Sequence, residues 1–457
     1  MKLLYRRILY LSFIGFFLII TPIVIMYATG YRYNFTKGQI QKIGILYIDS
    51  QPKKADIFIN DKYKAKTPKR FGALLPDIYK VKVQKEGYYT WEKELEVISY
   101  LTTFAKDIVL FKKSLPINII EGEINIFASS FDQEKIIYSI VKENSEELRL
   151  LNLNNNDDFL IKQFNKKTYN QLKLVSWSPN NKKALLTEVI GDFNKYLILD
   201  IETLKVKELF DITRLNFSQV EWDNFSDNYL YGLRKAVLHK IDLVNNTTRS
   251  ILSDNIKDFE VKGGDIYYIS KIGIESFLNL SIIENDKVSE SKKIKLPSPS
   301  QYTLSPSTRD YLVLLDRMNN DLFIINSQAF TDQDTSDNII LQDNAKKVIW
   351  SENEKIILCY NDFEIWTFNF ETKRKNLITR YGSIINQVKW YPGNKYIIYQ
   401  ANNEIRVIEG IESEIKEDLQ LVEFFDINNF NIDDKGENLY FKATVGNQQG
   451  IYKLEIQ

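Results

Sequence analysis

The sequence predicts an all-β chain after one N-terminal transmembrane helix, with a small antiparallel β-domain followed by a β-propeller of about eight, alternatively seven, four-stranded blades. Three observations predict it. A basic start leads into a long uncharged apolar run, short alternating strands with dense turn chemistry follow, and a tryptophan-centred unit then repeats at intervals of 39 to 48 residues. The expected organisation is a cytoplasmic stub and anchor over 1–30, a juxtamembrane linker over 31–41, a small β-domain over 42–112 and the propeller over 115–457.

The anchor is the first element. MKLLYRRILYLSFIGFFLIITPIVIMYATG places Lys2, Arg6 and Arg7 before the 21 uncharged residues from Ile8 to Ala28, a run that includes Phe16, Ile20 and Ile25. A helix needs roughly 20 apolar residues to cross the hydrocarbon layer. A cleavable signal would have a shorter apolar region and a small-x-small site; MYATG offers only a weak one, so an uncleaved signal anchor is favoured. Pro22 is tolerable inside such a helix. The basic cluster is expected to hold the N-terminus in the cytoplasm and export the rest of the chain. Tyr27, Tyr31 and Tyr33 suit the aromatic belt at the outer interface.

From Gly44 the periodicity becomes that of strands. Tyr79, Val81 and Val83 alternate with Lys80, Lys82 and Gln84, while Trp91, Leu95 and Val97 alternate with Glu92, Glu94 and Glu96, so each run has one dry and one wet face. Ser50-Gln51-Pro52, Asn60-Asp61, Thr67-Pro68, Pro76-Asp77 and Glu86-Gly87 supply turns between the runs. The order Ser50, Pro52, Ala55, Ile57 and Ile59, Asn60-Asp61, Thr67-Pro68, Leu75-Pro76 with Tyr79, then Gly87-Tyr88 resembles the PEGA domain. Two departures stand out: Lys53-Lys54 replaces the acid-glycine pair, and Asp77 replaces a glycine. If the family's glycine has positive φ, Lys54 must adopt that conformation or the turn must change. The basic pair then reads either as a solvated knuckle or as a contact for an anionic polymer or lipid headgroup near the bilayer. The resemblance implies an extracytoplasmic binding or spacer module of envelope proteins and carries no catalytic residues.

Beyond Pro116 the repeat dominates. LVSWSPNNKKALLT, QVEWDNFSDNYLYGL, KVIWSENEKIILCY and QVKWYPGNKYIIYQ each combine a strand ending in Trp, a polar turn and an apolar β-run. Equivalent positions fall at Ser129, Trp177, Trp222, Val261, Leu304, Trp350, Trp390 and Ile432. A second strand pair follows each, as in KYLILDIETLKVKEL, where an Asp precedes a tight hairpin. Four short strands per unit of this length make a propeller blade. The units resemble TolB-like and WD-like propeller repeats, with Trp177 to Asn181 the nearest copy. The Val261 copy is degenerate, which keeps seven blades open. The last unit supplies about three strands, and LPINII at 115–120 can add the fourth and latch the ring.

Composition narrows the chemistry. Sixty basic and sixty acidic residues give no global field toward nucleic acid. One cysteine, Cys359, excludes an internal disulfide and a cysteine metal cluster, and its apolar neighbours read as core. His239 is the single histidine and reads as a strand residue. Trp177, Trp222, Trp350 and Trp390 recur at one repeat position, where packing between blades is expected rather than ligand stacking. The acidic turns at 223–228 and 433–438 lack the twelve-residue calcium-loop spacing and read as solvated turns. The Gly-x-Ser-x-Gly elbow of propeller peptidases is missing. The Asn-x-Ser/Thr triplets at Asn34, Asn216, Asn224, Asn246 and Asn279 carry no inference in so Asn-rich a chain. No catalytic residue, metal or cofactor is assigned, and the chain is not expected to be an enzyme. The expected role is a single-pass, membrane-anchored, extracytoplasmic binding or scaffolding protein whose propeller face recognises a cell-envelope protein, peptide or glycan. The alternatives are an envelope polysaccharide hydrolase using propeller carboxylates and a purely structural surface protein.

Overall fold

A computed structural model describes residues 3–35, 37–284, 287–297, 300–305, 308, 310–327, 339–410 and 417–457. Lys2 of the basic start lies outside the described residues. The chain divides into two compact units, Met1–Leu115 with Glu455–Gln457, and Pro116–Leu454.

The first unit begins with α1, Leu3–Ala28, which contains Pro22. Its stretch Tyr5–Ala28 is long and apolar enough to cross a membrane, and none of it is buried against protein. Ile8, Phe16 and Ile25 project from it exposed, and Arg6 and Arg7 lie in its first turns. The stretch 31–41, expected as a linker, is instead the body of a hairpin pairing β1, Tyr31–Asn34, with β2, Gln39–Lys42.

The small domain is a two-layer sandwich. One layer orders β6 (Lys69–Leu74), β3 (Gly44–Gln51) and β9 (Thr102–Val109); the other orders β5 (Lys62–Lys66), β4 (Asp56–Ile59), β7 (Asp77–Gln84) and β8 (Trp91–Val97). Alternation places Leu46, Ile48, Ile57, Ile59, Val81, Val83, Trp91 and Val97 in a common core between the layers. One pairing departs from the antiparallel expectation: β3 and β9 are parallel. The reason is connectivity. Ile98–Leu101 carries the chain from one layer to the other, so β9 starts at the same end as β3. Gly44 permits this crossing, since a Cβ there would meet the Ile98 carbonyl oxygen at 2.4 Å.

Among the described residues the second unit contains eight four-stranded antiparallel sheets. Numbered along the chain, blades 1 to 7 cover 123–165, 171–208, 219–253, 256–295, 302–344, 347–380 and 385–423. Blade 8 takes its three inner strands from 428–455, and Ile117–Glu121 supplies its outermost strand by pairing with Gln448–Glu455. The degenerate Val261 copy is a complete blade, so the count is eight. All eight repeat positions fall at or next to the last residue of the innermost strand.

Apolar faces of successive blades join. Trp177 packs with Ile137, Leu148 and Leu186 between blades 1 and 2, Trp222 with Leu185 and Ile198 between blades 2 and 3, and Trp390 with Leu358 and Ile378 between blades 6 and 7. Trp350 lies against the cluster joining blades 5 and 6, stacked on Phe370 at 5.3 Å. Ile136, Tyr138, Tyr440 and Ile451 close the ring between blades 1 and 8. Hairpin tips are fixed by their acids: Asp200 accepts from the Thr203 amide at 2.9 Å, and Asp433 from the Glu437 amide at 2.7 Å.

Closure has a tight point. A Cβ on Gly450 would lie 2.1 Å from the Ile120 carbonyl oxygen across the latch. Gly450→Ala should therefore cost about 1–3 kcal/mol in urea denaturation of the solubilised chain. Gly382→Ala, which has open space, should stay within about 0.5 kcal/mol. Equal effects at both positions would contradict the latch.

Candidate functional site

The expected motif of the small domain builds the fold rather than a site. Ser50 Oγ lies 2.8 Å from Thr67 Oγ1, which accepts from the Ala55 amide at 3.0 Å, while the Thr67 and Lys54 amides donate to the carbonyls of Ala55 and Thr67. Pro52 and Pro68 follow cis peptide bonds in these two turns. Tyr79 Oη donates to the carbonyl of Leu75, just before Pro76. Gly87 has φ +80° and leads into Tyr88, which bridges to Lys112. Lys54 takes φ +62°, so the basic pair keeps a left-handed turn, and Lys53 Nζ is held by both Asp49 oxygens at 2.7 Å.

Chemistry concentrates instead where the innermost propeller strands face the ring axis. One residue before each repeat position stand Ser176, Glu221, Glu260, Thr303, Ile349, Lys389 and Asn431 in blades 2 to 8. In an eight-membered ring blades 3 and 4 lie opposite blades 7 and 8, so this position is acidic in one pair of blades and a lysine and an amide in the pair across from it. Gln219 Nε2 donates to Glu221 at 2.8 Å and to Asp258 of the next blade at 2.7 Å, so the two carboxylate oxygens are less than about 5.5 Å apart. Asp258 also accepts from the Leu304 amide at 2.7 Å. Burial, reinforced by the Asp258 and Glu260 charges, pushes Glu221 up to about 8. Burial likewise raises Asp258.

Across the ring, Lys389 Nζ donates to Asn431 Oδ1 at 2.6 Å, and Ser129 Oγ reaches the same oxygen at 2.9 Å. Burial pulls Lys389 down to about 8. Gln387 holds the next blade through two bonds to the Phe430 backbone. Among the described residues no group of three or more His, Cys, Asp or Glu can hold a metal ion. His239 sits edge-on to Phe217 at 5.8 Å, with burial and Arg234 lowering its pKa. Cys359 is fully buried between blades 5 and 6.

The rims differ. Loops joining second to third strands, and each blade to the next, form face I; the remaining hairpins form face II. Face I carries Phe193, Ile274, Met318, Phe363, Ile384 and Phe425 exposed, with Ile274 and Phe425 near 80%. Face II hairpins expose Phe131, Phe225 and Val244 among the described residues. Ile117 starts, and the last strand ends, on the face II side.

The Ser50–Thr67–Ala55 knot, Tyr79 on Leu75 and the turn at Gly87 fall within one recognisable segment. Residues 43–110 match the PEGA domain. No curated protein sequence matches the chain. Among solved structures, dipeptidyl peptidase 4 from Porphyromonas gingivalis is 11% identical at a TM-score of 0.51, covering 74% of this chain and 59% of the peptidase, less than two thirds of its length. The C-terminal WD40 domain of Sif2 is 10% identical at 0.48, covering 75% and 98%, and the Dos1 propeller is 13% identical at 0.47, covering 75% and 95%. At such identities the likeness concerns the propeller fold alone.

None of the axial polar cluster was assigned from the sequence. Its one advance signal is parity: Gln219 and Glu221, Asp258 and Glu260, and Gln387 and Lys389 alternate with the packing residues of the same strands.

Glu221 makes stability depend on pH. Its folded pKa of about 8 lies above the ordinary 4.5, so the folded chain keeps a proton that the unfolded chain releases, and stability falls as pH rises between those values. Glu221→Gln removes this loss. Its stability relative to the native chain should climb from pH 5 to pH 8, with a slope approaching 1.4 kcal/mol per unit at most, roughly. A pH-independent difference in urea midpoints would show that Glu221 is solvated.

Proposed function

We propose that this chain is a membrane-anchored, extracytoplasmic binding or scaffolding protein of the cell envelope, and that face I of its propeller recognises a protein, peptide or glycan. The observation that carries the reading is the set of exposed apolar tips on face I, the rim away from where the chain enters and leaves the ring. Rigidly held aromatic and aliphatic tips on loops are the usual anchors of recognition surfaces. The uncharged stretch of α1 that follows Arg6 and Arg7 supports the anchor and its orientation, and the PEGA domain agrees with an exported body.

Two measurements test it. Protease added to spheroplasts should digest everything after about residue 30; full protection of the body, with permeability controlled, contradicts the orientation. Immobilised full-length protein in detergent should capture an envelope protein or cell-wall glycan. Joint replacement of Phe193, Ile274 and Phe425 by Ser should cut capture by at least tenfold, roughly, since each anchor is worth about 2 kcal/mol. Undiminished capture contradicts a face I site.

A second reading rests on the Glu221–Asp258 pair. Two carboxyl groups bridged by one amide, one of them protonated near neutrality, lie within the reach of a retaining glycosidase's pair. Release of reducing ends from envelope polysaccharide, lost in Glu221→Gln, would favour it; capture without product favours binding.

A further inference from the structure

The end of the PEGA domain nearest α1 gathers exposed apolar and aromatic side chains beside the helix terminus. The hairpin 31–42 and the crossing loop Ile98–Leu101 are tied to the helix terminus: the Ile43 amide donates to the Gly30 carbonyl at 3.0 Å, the Tyr31 and Tyr100 hydroxyls are 3.0 Å apart, and Ser99 Oγ donates to the Lys42 carbonyl. Tyr100 and Leu101 are more than half exposed there, as are Phe35 and Ile40 of the hairpin. Cations accompany the aromatic rings. The Arg32 guanidinium lies 3.3 Å from the Tyr27 ring centre and donates to the Tyr27 carbonyl, and Lys42 Nζ lies 4.0 Å from the Tyr100 ring centre.

Exposed tyrosines with basic partners, beside bare aliphatic side chains, are the composition of a membrane–water interface: rings reach toward the acyl boundary and cations toward phosphate. The patch is also continuous with the end of an apolar helix that no protein surface covers. We infer that the helix-proximal end of the PEGA domain is seated in the lipid headgroup layer, with the Tyr100–Leu101 tip as a second point of insertion beside the helix. This rests on the proposal that α1 spans a membrane.

The opposite end of the domain also pairs lysines with tyrosines, Lys85 with Tyr88 and Lys113 with Tyr89, but those rings are half-buried and have no exposed large apolar side chain beside them. The Lys53–Lys54 turn lies beyond the far end of β3, seven residues and about 23 Å from Gly44. Lys53 is already neutralised by Asp49. The basic knuckle thus faces away from the bilayer, and the domain is a footing on the membrane rather than a free spacer.

Spin labels on the full-length protein test this. In a Cys359→Ser background, single cysteines at Phe16, Lys54, Tyr100 and Leu101 carry nitroxides. The protein is reconstituted into vesicles of phosphatidylcholine and phosphatidylglycerol at three to one. Collision rates with oxygen and with a neutral nickel complex report depth. The Tyr100 and Leu101 labels should show a several-fold lower nickel-to-oxygen ratio than Lys54, approaching that of Phe16. If Tyr100 and Leu101 match Lys54 while Phe16 is shielded, the seated domain is wrong and the anchor stands. If Phe16 is as open to nickel as Lys54, the anchor fails and the inference falls with it. Shielding at Tyr100 and Leu101 that rises with the protein-to-lipid ratio would place them against a second copy of the chain and overturn the lipid assignment.

Discussion

No blade of this propeller can bury both its faces alone, and everything in the ring follows from that constraint. Each sheet presents apolar side chains to two neighbours. Leu186 and Leu197 face blade 1, for example, whereas Leu185 and Ile198, one residue away, face blade 3. Such an arrangement leaves two apolar end faces bare until the ring closes. Closure falls to the strand Ile117–Glu121, which completes blade 8 from the opposite end of the unit's sequence, and to Gly450, whose missing Cβ lets the strands meet. Rigidity obtained this way frees the rim loops from any duty in the core. They can expose Phe193 or Phe425 without loosening the fold.

The axis shows the other consequence of closure. Inner strands converge there, and their side chains at the parity opposite to the tryptophans must face one another or the next blade. Gln219, Asp258, Gln387 and Lys389 use that parity to tie neighbouring blades by hydrogen bonds, which accounts for polar side chains so deep in the ring. The residual cost is visible in the two shifted groups. Glu221 holds its proton and Lys389 loses its proton more readily because neither is fully compensated by a partner of opposite charge.

Legibility in the sequence tracked the strength of the packing demand. The interblade space favours a bulky ring at one position, so Trp177, Trp222, Trp350 and Trp390 announced four blades and their spacing suggested the rest. Blade 4 hid because Val261 is small there. Phe259 and Tyr268 fill the space instead, and only the observed pairing of its strands settles the count at eight. The PEGA segment was readable because its Ser, Thr, Pro and Gly residues each meet a specific backbone requirement. The parallel pairing of β3 with β9 was not, since alternation says nothing about strand direction. Nor was the axial cluster: Glu221 and Asp258 are 37 positions apart, and only ring geometry brings them to one amide. Single apolar letters beside turns, such as Ile274 after Gly273, carry no periodic signal, so the exposed tips of face I needed the structure.

Recognition by face I can be tested at both rims in the cell. Photo-reactive amino acids placed at Ile274 and Phe425, and separately at Phe131 and Phe225 on face II, can be irradiated in living cells and the adducts identified by mass spectrometry. One recurrent envelope protein or glycan fragment should be joined to the first pair and absent from the second. Adducts confined to Phe131 and Phe225, or equal at both rims, would contradict it.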